Sequence, residues 1–322
     1  MPVSELDLIA RLRARASRRR PRHLVQGIGD DCARLRLPAG QEALITTDFS
    51  LEGVHFRRDW HPADSAGYRC LARGLSDIAA MGGDPLAAFL SLALPRDLPQ
   101  TWVDGFLDGL LRLASRFRVP LAGGDVAESP SGILADIVVV GSVPAGQALL
   151  RSGARPGDSL YVTGQLGLAA ATAHALGRGE KIPAKSKDAA AHFYPTPRIA
   201  VGRALRGLAS AALDISDGLS TDLAHLCQES GVGALLAEHS IPRGISFQGS
   251  SLHYALHGGE DYELLFTAPA RARIPSRIAG VRVTRIGEIV RDRKHRIFLT
   301  DSPGQRKLLV ARGWEHFASP ES

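Results

Sequence analysis

Apolar runs and alternations predict strands at 43–47, 86–94 and 133–143, and segments at helical spacing predict helices over 62–81 and 101–117. Thr101-x-x-Asp104 reads as a capping box opening the second of these helices. Nearer the start, Ser4-Glu-Leu-Asp7 reads the same way, with Leu8, Ile9 and Leu12 following on one helical stripe. The pattern breaks at Val143-Pro-Ala-Gly146. It resumes after Arg151-Ser-Gly-Ala-Arg-Pro-Gly157 with a strand at 159–163 and a Gly/Ala-rich helix at 166–176. Further helices are expected at 199–208 and 219–229, and strands at 211–213, 233–237, 263–267 and 281–289. The expectation is an α/β (α+β) chain of two domains, residues 1–146 and 147–322. The small residues, lysines and proline of 177–191 read as a mobile loop or a poorly packed insertion.

Length agrees with that division, since 322 residues make two domains at about 150 residues each. Hydrophobic residues at 44% and charged residues at 22% are ordinary for a globular protein, and no stretch nears the ~18 apolar residues of a membrane span. Cys32, Cys70 and Cys227 are odd in number and far apart, which argues against a disulfide framework or a zinc site and for a reducing, cytoplasmic setting. The basic run 11–22 is read as part of a first helix, not as a targeting segment. A net charge of +6 raises nucleic acid as a partner, but the basic residues are scattered and only 271–296 resembles a stripe. Small phosphate-bearing ligands suit the charge equally well.

The acids are more informative. They fall in Gly27-Ile-Gly-Asp30-Asp31, Ile45-Thr-Thr-Asp48, Leu75-Ser-Asp77, Ala122-Gly-Gly-Asp125 and Leu213-Asp214-Ile-Ser216-Asp217-Gly218, each where an apolar segment gives way to Gly, Ser or Thr. One such Asp is most simply an N-cap or turn residue. Five clusters at strand ends, where α/β folds gather ligands, would repel one another unless cations lay between them. Such hard oxygen donors suit Mg²⁺, which takes one or two carboxylates together with substrate phosphates. Gly27, Gly29, Gly123 and Gly124 either permit tight turns or let backbone N–H groups approach phosphate oxygens. A P-loop, a protein-kinase catalytic loop, a Gly-x-Gly-x-x-Gly fingerprint, a Gly-x-Ser-x-Gly elbow and a His-Glu-x-x-His pair are all missing from the sequence.

Eight segments, in order from about residue 4 to 318, resemble the thiamine-monophosphate kinase family: Gly27-Ile-Gly-Asp-Asp-Cys32, Thr46-Thr-Asp48 with Glu52-Gly-Val-His-Phe56, Leu75-Ser-Asp-Ile-Ala-Ala-Met-Gly82, Gly123-Gly-Asp125, Arg151-Ser-Gly-Ala-Arg-Pro-Gly-Asp158, Asp214-Ile-Ser-Asp-Gly-Leu219, Gly258-Gly-Glu-Asp-Tyr-Glu-Leu264 and Gly313-Trp-Glu-His-Phe317. The resemblance implies the two-domain fold shared with aminoimidazole ribonucleotide synthetase, an N-terminal sheet that pairs across a homodimer, and ATP bound in the groove between domains. It implies transfer of the ATP γ-phosphoryl group to thiamine monophosphate. It further implies several Mg²⁺ ions on Asp31, Thr46, Thr47, Asp48, Asp77, Asp125, Asp214 and Asp217. Gly124, Asp125, Arg151 and Ser216 match the ATP contacts, and His55, Glu260 and Trp314 match the thiamine-monophosphate site. Phosphoryl transfer needs positioning and charge neutralisation more than covalent help, so Arg151, Asp48 and Asp125 are expected to steady transition-state charge. The acceptor phosphate is already ionised, and no general base is expected.

Gly74 stands where the family often has Asn, which removes a polar contact near the metals, and Phe49 stands where a smaller or polar residue is usual. Cys32 is expected to be a buried or neutral thiol rather than a reactive one. The rivals are relatives that use the same acids and ATP for other ends, and a nucleotide or thiamine-phosphate sensor without turnover.

Overall fold

The computed structural model describes residues 5–16, 21–29, 31–187, 189–244, 252–301, 304–314 and 316–317. Ser4, Asp30 and part of the basic run at 11–22 lie outside the described residues. The chain divides into two compact units, Met1–Ile78 with Gly83–Gly146, and Ala79–Gly82 with Gln147–Ser322.

Unit 1 contains α1 (Glu5–Ala16), β1 (Leu24–Gln26), β2 (Arg34–Leu35), β3 (Gln41–Leu51), nearly all of α2 (Ala63–Ala80), β4 (Asp84–Pro95), α3 (Gln100–Phe117), β5 (Leu121–Ser129) and β6 (Leu134–Pro144). β1 and β2 form a small antiparallel pair, and the main sheet runs β3-β6-β4-β5 with β4 and β5 parallel. Side chains alternate across it. Ala135, Ile137 and Val139 of β6 and Leu90, Leu92 and Leu94 of β4 are buried, while Ile45 and Phe49 of the edge strand β3 stay 71% and 55% exposed. α3 buries Val103, Phe106, Leu107, Leu110 and Leu113, a stripe of period 3.6. α2 and α3 cross through reciprocal glycines. A Cβ on Gly67 would stand 1.8 Å from the Phe106 carbonyl oxygen, and one on Gly109 would stand 1.8 Å from that of Asp64.

The expected capping box at Thr101 does not form. α3 begins one residue earlier behind an extended Pro99 that offers no side-chain cap, because Asp104 instead pairs with Arg11 and Arg15 of α1 at 3.4 and 3.5 Å.

Unit 2 contains β7 (Ser159–Thr163), α4 (Leu168–Gly177), α5 (Ala190–Phe193), α6 (Ile199–Leu205), β8 (Ala211–Ile215), α7 (Leu219–Ser230), β9 (Gly233–Ala237), a 3-10 turn at Glu238–Ser240, α8 (Leu252–His257), β10 (Glu263–Ala268), β11 (Arg277–Ile278), β12 (Val281–Val290), β13 (Ile297–Thr300) and β14 (Arg306–Leu309). Its sheet runs β14-β13-β9-β12-β7-β10-β8, with β11 paired to β12. β8 and β10 are buried along their whole length, and the core joins Leu160, Val162, Leu213, Ile215 and Leu265 to Leu223 and Leu226 of α7. No described helix is long and apolar enough to cross a membrane.

Candidate functional site

In unit 1, Thr46 and Asp48 lie two residues apart on β3 and share one face, over which α2 presents Arg73 and Asp77, one helical turn apart. Thr46 Oγ1 donates to Asp77 Oδ2, and Arg73 Nη2 stands 3.7 Å from Asp48 Oδ1. Thr47 faces the other way and donates to Asp136 Oδ1 at 2.8 Å. Cross-strand register separates the acids further. Asp48 aligns with Ile137, Leu90 and Gly124, whereas Phe49 aligns with Asp136, Ser91 and Asp125, so Asp125 belongs to the face of Thr47 and not to that of Asp48.

The strand-end placement therefore needs correction for three clusters: Asp48 is inside β3, Asp125 is inside β5 and Asp77 is inside α2. Gly74 also has a steric reason. A Cβ there would stand 2.7 Å from Val139 Cγ2, so a side chain at 74 requires that valine or the helix to shift.

Asp31, Gly124 and Asp125 do come together. They line a cavity of about 720 Å³ with Gly27, Gly29, Gly123 and Cys32, closed on its apolar side by Ile9 and Leu12 of α1. Gly124 has φ +149, and a Cβ on it would stand 1.8 Å from the Leu90 carbonyl oxygen, so β4 and β5 pair here only through a glycine. Asp125 Oδ1 accepts from Val126 N–H at 2.9 Å. Cys32 is exposed rather than buried, because its turn forms part of the cavity wall. Burial instead falls on Cys70 and Cys227, whose thiols it pushes up to about 12. His55 Nδ1 accepts from Leu51 N–H at 3.0 Å, which puts the proton of the neutral ring on Nε2.

In unit 2, β8 carries Asp214 and delivers the Ser216-Asp217-Gly218 turn to the start of α7. The backbone N–H groups of all three turn residues donate to Asp222 Oδ2, at 3.1, 3.0 and 3.0 Å. Burial, and then the charges of Asp217 and Asp214, hold the Asp222 carboxyl well above the usual carboxylate range, against the pull of those amides. Glu260 N–H donates to Ser216 O at 2.7 Å, and Glu260 and Tyr262 both adopt positive φ, 67° and 49°. Strain of this kind persists where the surroundings over-determine it. Here Asp261, buried between them, accepts from Gly167 N–H with both oxygens, at 3.0 and 2.8 Å. Glu263 is clamped by Arg198 and by Thr163 Oγ1 at 2.6 Å. Trp314 is 53% exposed, its backbone N–H bound to Asp217 O at 3.0 Å. The Arg151 side chain is exposed and has no acidic partner among the described residues. Its carbonyl accepts from Ser230 Oγ at 2.7 Å, and that hydroxyl also takes the N–H groups of Gly153 and Ala154 at 3.1 Å each.

Asp222 escaped the sequence reading, and Asp261 and Glu263 stood inside a quoted segment without a role of their own. Asp222 looks like an ordinary first-turn helix acid, and its one signal is its place four residues after the glycine that ends Ser-Asp-Gly. Among the described residues no three His, Cys, Asp or Glu side chains converge into a cage for a metal. The donors nonetheless fit a hard cation, since they are carboxylates and hydroxyls in small groups, Asp31 with Asp125 and Asp48 with Thr46 and Asp77.

Comparison with known proteins gives the family. Residues 29–143 match the model of the AIR synthase related protein N-terminal domain, and 155–300 match that of its C-terminal domain. The thiamine-monophosphate kinase of Salmonella typhimurium is 41% identical over 337 residues, covering 99% of this chain and all of the relative. The crystal structure of thiamine-monophosphate kinase from Stenotrophomonas maltophilia K279a superposes with a TM-score of 0.81 at 34% identity, over 95% of this chain and 99% of that one. AaThiL complexed with AMPPCP and TMP superposes at 0.77 and 31% identity, over 98% and 99%. With both domain models matched and full-length relatives this similar, the chain belongs to the AIR synthase-related proteins and, among them, to the thiamine-monophosphate kinase family.

Proposed function

We propose that the protein transfers the γ-phosphoryl group of ATP to the phosphate of thiamine monophosphate, releasing ADP and thiamine diphosphate in the last step of thiamine diphosphate biosynthesis. The observation that carries this reading is near full-length similarity to thiamine-monophosphate kinases, one of them solved with AMPPCP and TMP. A terminal oxygen of the acceptor phosphate forms the new P–O bond while the bond from γ-phosphorus to the ADP oxygen breaks. The nucleophile is ionised at neutral pH, so the chain has only to place two anions in line and offset their repulsion.

Residues 1–146 would serve nucleotide and metal, with His55 toward the acceptor, and 147–322 would complete the substrate site while adding phosphate and metal contacts of their own. In unit 1, backbone groups at Gly123 and Gly124 would take phosphate oxygens, and His55 with its Nε2–H would contact the acceptor. In unit 2, Arg151 and Ser216 would bind and steady phosphate charge, Trp314 offers a π face to the cationic thiazolium, and Glu260 completes the substrate site. Asp31, Thr46, Thr47, Asp48, Asp77, Asp125, Asp214 and Asp217 are the groups that would hold Mg²⁺. When bound, Mg²⁺ neutralises phosphate charge, and Asp48 and Asp125 orient what it holds. The exposed Ile45 and Phe49 on an edge strand support a homodimer formed through the unit 1 sheet. Three free thiols are in keeping with the cytoplasm.

The test is incubation with ATP, Mg²⁺ and thiamine monophosphate, following both products against controls lacking each component. Equal amounts of ADP and thiamine diphosphate, abolished by chelation, are expected. ATP consumed without thiamine diphosphate would overturn the substrate assignment.

A further inference from the structure

Three consecutive backbone N–H groups near the C-terminus are held by the start of α7. Arg312 N–H donates to Ser220 Oγ at 3.3 Å, Gly313 N–H to Thr221 Oγ1 at 2.9 Å and Trp314 N–H to the Asp217 carbonyl at 3.0 Å. The segment lies beyond the last strand, so these bonds replace a ladder. Gly313 is indispensable to the arrangement, because a Cβ there would stand 1.9 Å from Asp217 O and 2.6 Å from Thr221 Oγ1. Ser220 is fully buried, and its hydroxyl also meets His257 Nδ1 at 2.9 Å. The indole of Trp314, by contrast, is half exposed and meets the His316 ring edge-on at 5.6 Å, while its backbone N–H is fixed by the Asp217 carbonyl. At the other end of the rail, Asp217 is held by Asp222 through its own N–H.

We propose that Ser220 and Thr221 are positioning residues that lock Trp314 to the Asp217 turn and so fix the span between the aromatic face and the phosphate-side turn. The acceptor that suits this pair is a phosphate ester carrying a cationic ring, the ring toward Trp314 and the phosphate toward the turn, and its recognition depends on the rail. This rests on the function proposed above.

Thr221→Val keeps the shape and removes the acceptor oxygen. It is expected to raise KM for thiamine monophosphate about tenfold, the factor one net hydrogen bond supplies, with KM for ATP unchanged. Thr221→Ser keeps the oxygen and should restore the wild-type value, and Ser220→Ala should shift KM in the same direction as Thr221→Val. Unchanged acceptor KM in Thr221→Val overturns the proposal. A second arm needs no turnover. Trp60, Trp102 and Trp314 are the three tryptophans, so Trp60→Phe with Trp102→Phe leaves one emitter. In that background Thr221→Val should red-shift Trp314 emission and increase its quenching by acrylamide, and an unchanged spectrum also overturns the proposal. Wild-type protein that makes no thiamine diphosphate would overturn the function above, while the spectrum would still decide the rail.

Discussion

Gly124→Ala tests whether the close pairing of β4 and β5 sets the cavity. The new Cβ would stand 1.8 Å from Leu90 O, more than 1 Å inside any approach that real carbons make, at a φ of +149 that L residues rarely adopt. Backbone strain of about 1–3 kcal/mol adds to an overpacking cost of about 1–3 kcal/mol, so a loss of roughly 2–6 kcal/mol is expected. Relief requires β5 to move, and Asp125 is the next residue along it. A shift of about 1 Å in a group that positions substrate lowers turnover by about 10²-fold. Gly40→Ala is the control, because its φ is +71 but nothing lies within 4 Å of the added carbon, leaving only about 1–2 kcal/mol of left-handed strain. Denaturant unfolding of both variants gives the stability difference, and kcat/KM for ATP gives the functional one. If Gly124→Ala matches Gly40→Ala in stability and the wild type in kcat/KM, the argument that this crossing shapes the cavity is refuted.

Arg198 and Glu263 form a largely buried pair, their side chains 20% and 6% exposed. Glu263→Ala should cost about 3–5 kcal/mol by stranding the guanidinium, whereas Arg198→Met with Glu263→Met should cost less than either single change, and additive losses would contradict this. Burial first, and the charges of Glu263 and Glu260 after it, hold the Asp261 carboxyl well above its usual range despite the Gly167 amide. Its proton binds more tightly in the folded chain, so the resulting stability is whole below the unfolded pKa and is lost as pH rises through the folded one. Asp261→Asn should flatten the fall in melting temperature from acid to neutral pH, and a slope equal to that of the wild type would count against it. On the proposed homodimer, Ile45→Glu with Phe49→Glu should lower the mass in sedimentation to that of a monomer, and a mass equal to the wild type's would remove the unit 1 sheet as the interface.

Where periodicity was strong, sequence and structure agree to the residue, as at Ser159–Thr163 and Gly233–Ala237. β5 was illegible because Gly123-Gly124 carries the composition of a turn, while its role as the close-contact pair of Leu90 depends on a partner strand distant in sequence. The same non-locality hid the two-faced distribution of the acids, which follows from register and not from spacing. Thr101-x-x-Asp104 misled because Asp104 had a stronger option in two arginines of α1. Asp222 was invisible for the opposite reason: its three bonds are local, yet a first-turn acid usually needs no further explanation.

The glycine crossing of α2 and α3 has a mechanical consequence. With each backbone seated where the other would carry a Cβ, the helices touch over two fixed points and cannot slide along each other without collision of carbonyl and Cα. Arg73 and Asp77 ride on α2, so a shift of the helix backbone beneath that carboxylate must carry α3 with it. The pair behaves as a single stiff lever, and adjustment around Asp77 is left to side-chain rotation and to the strand opposite.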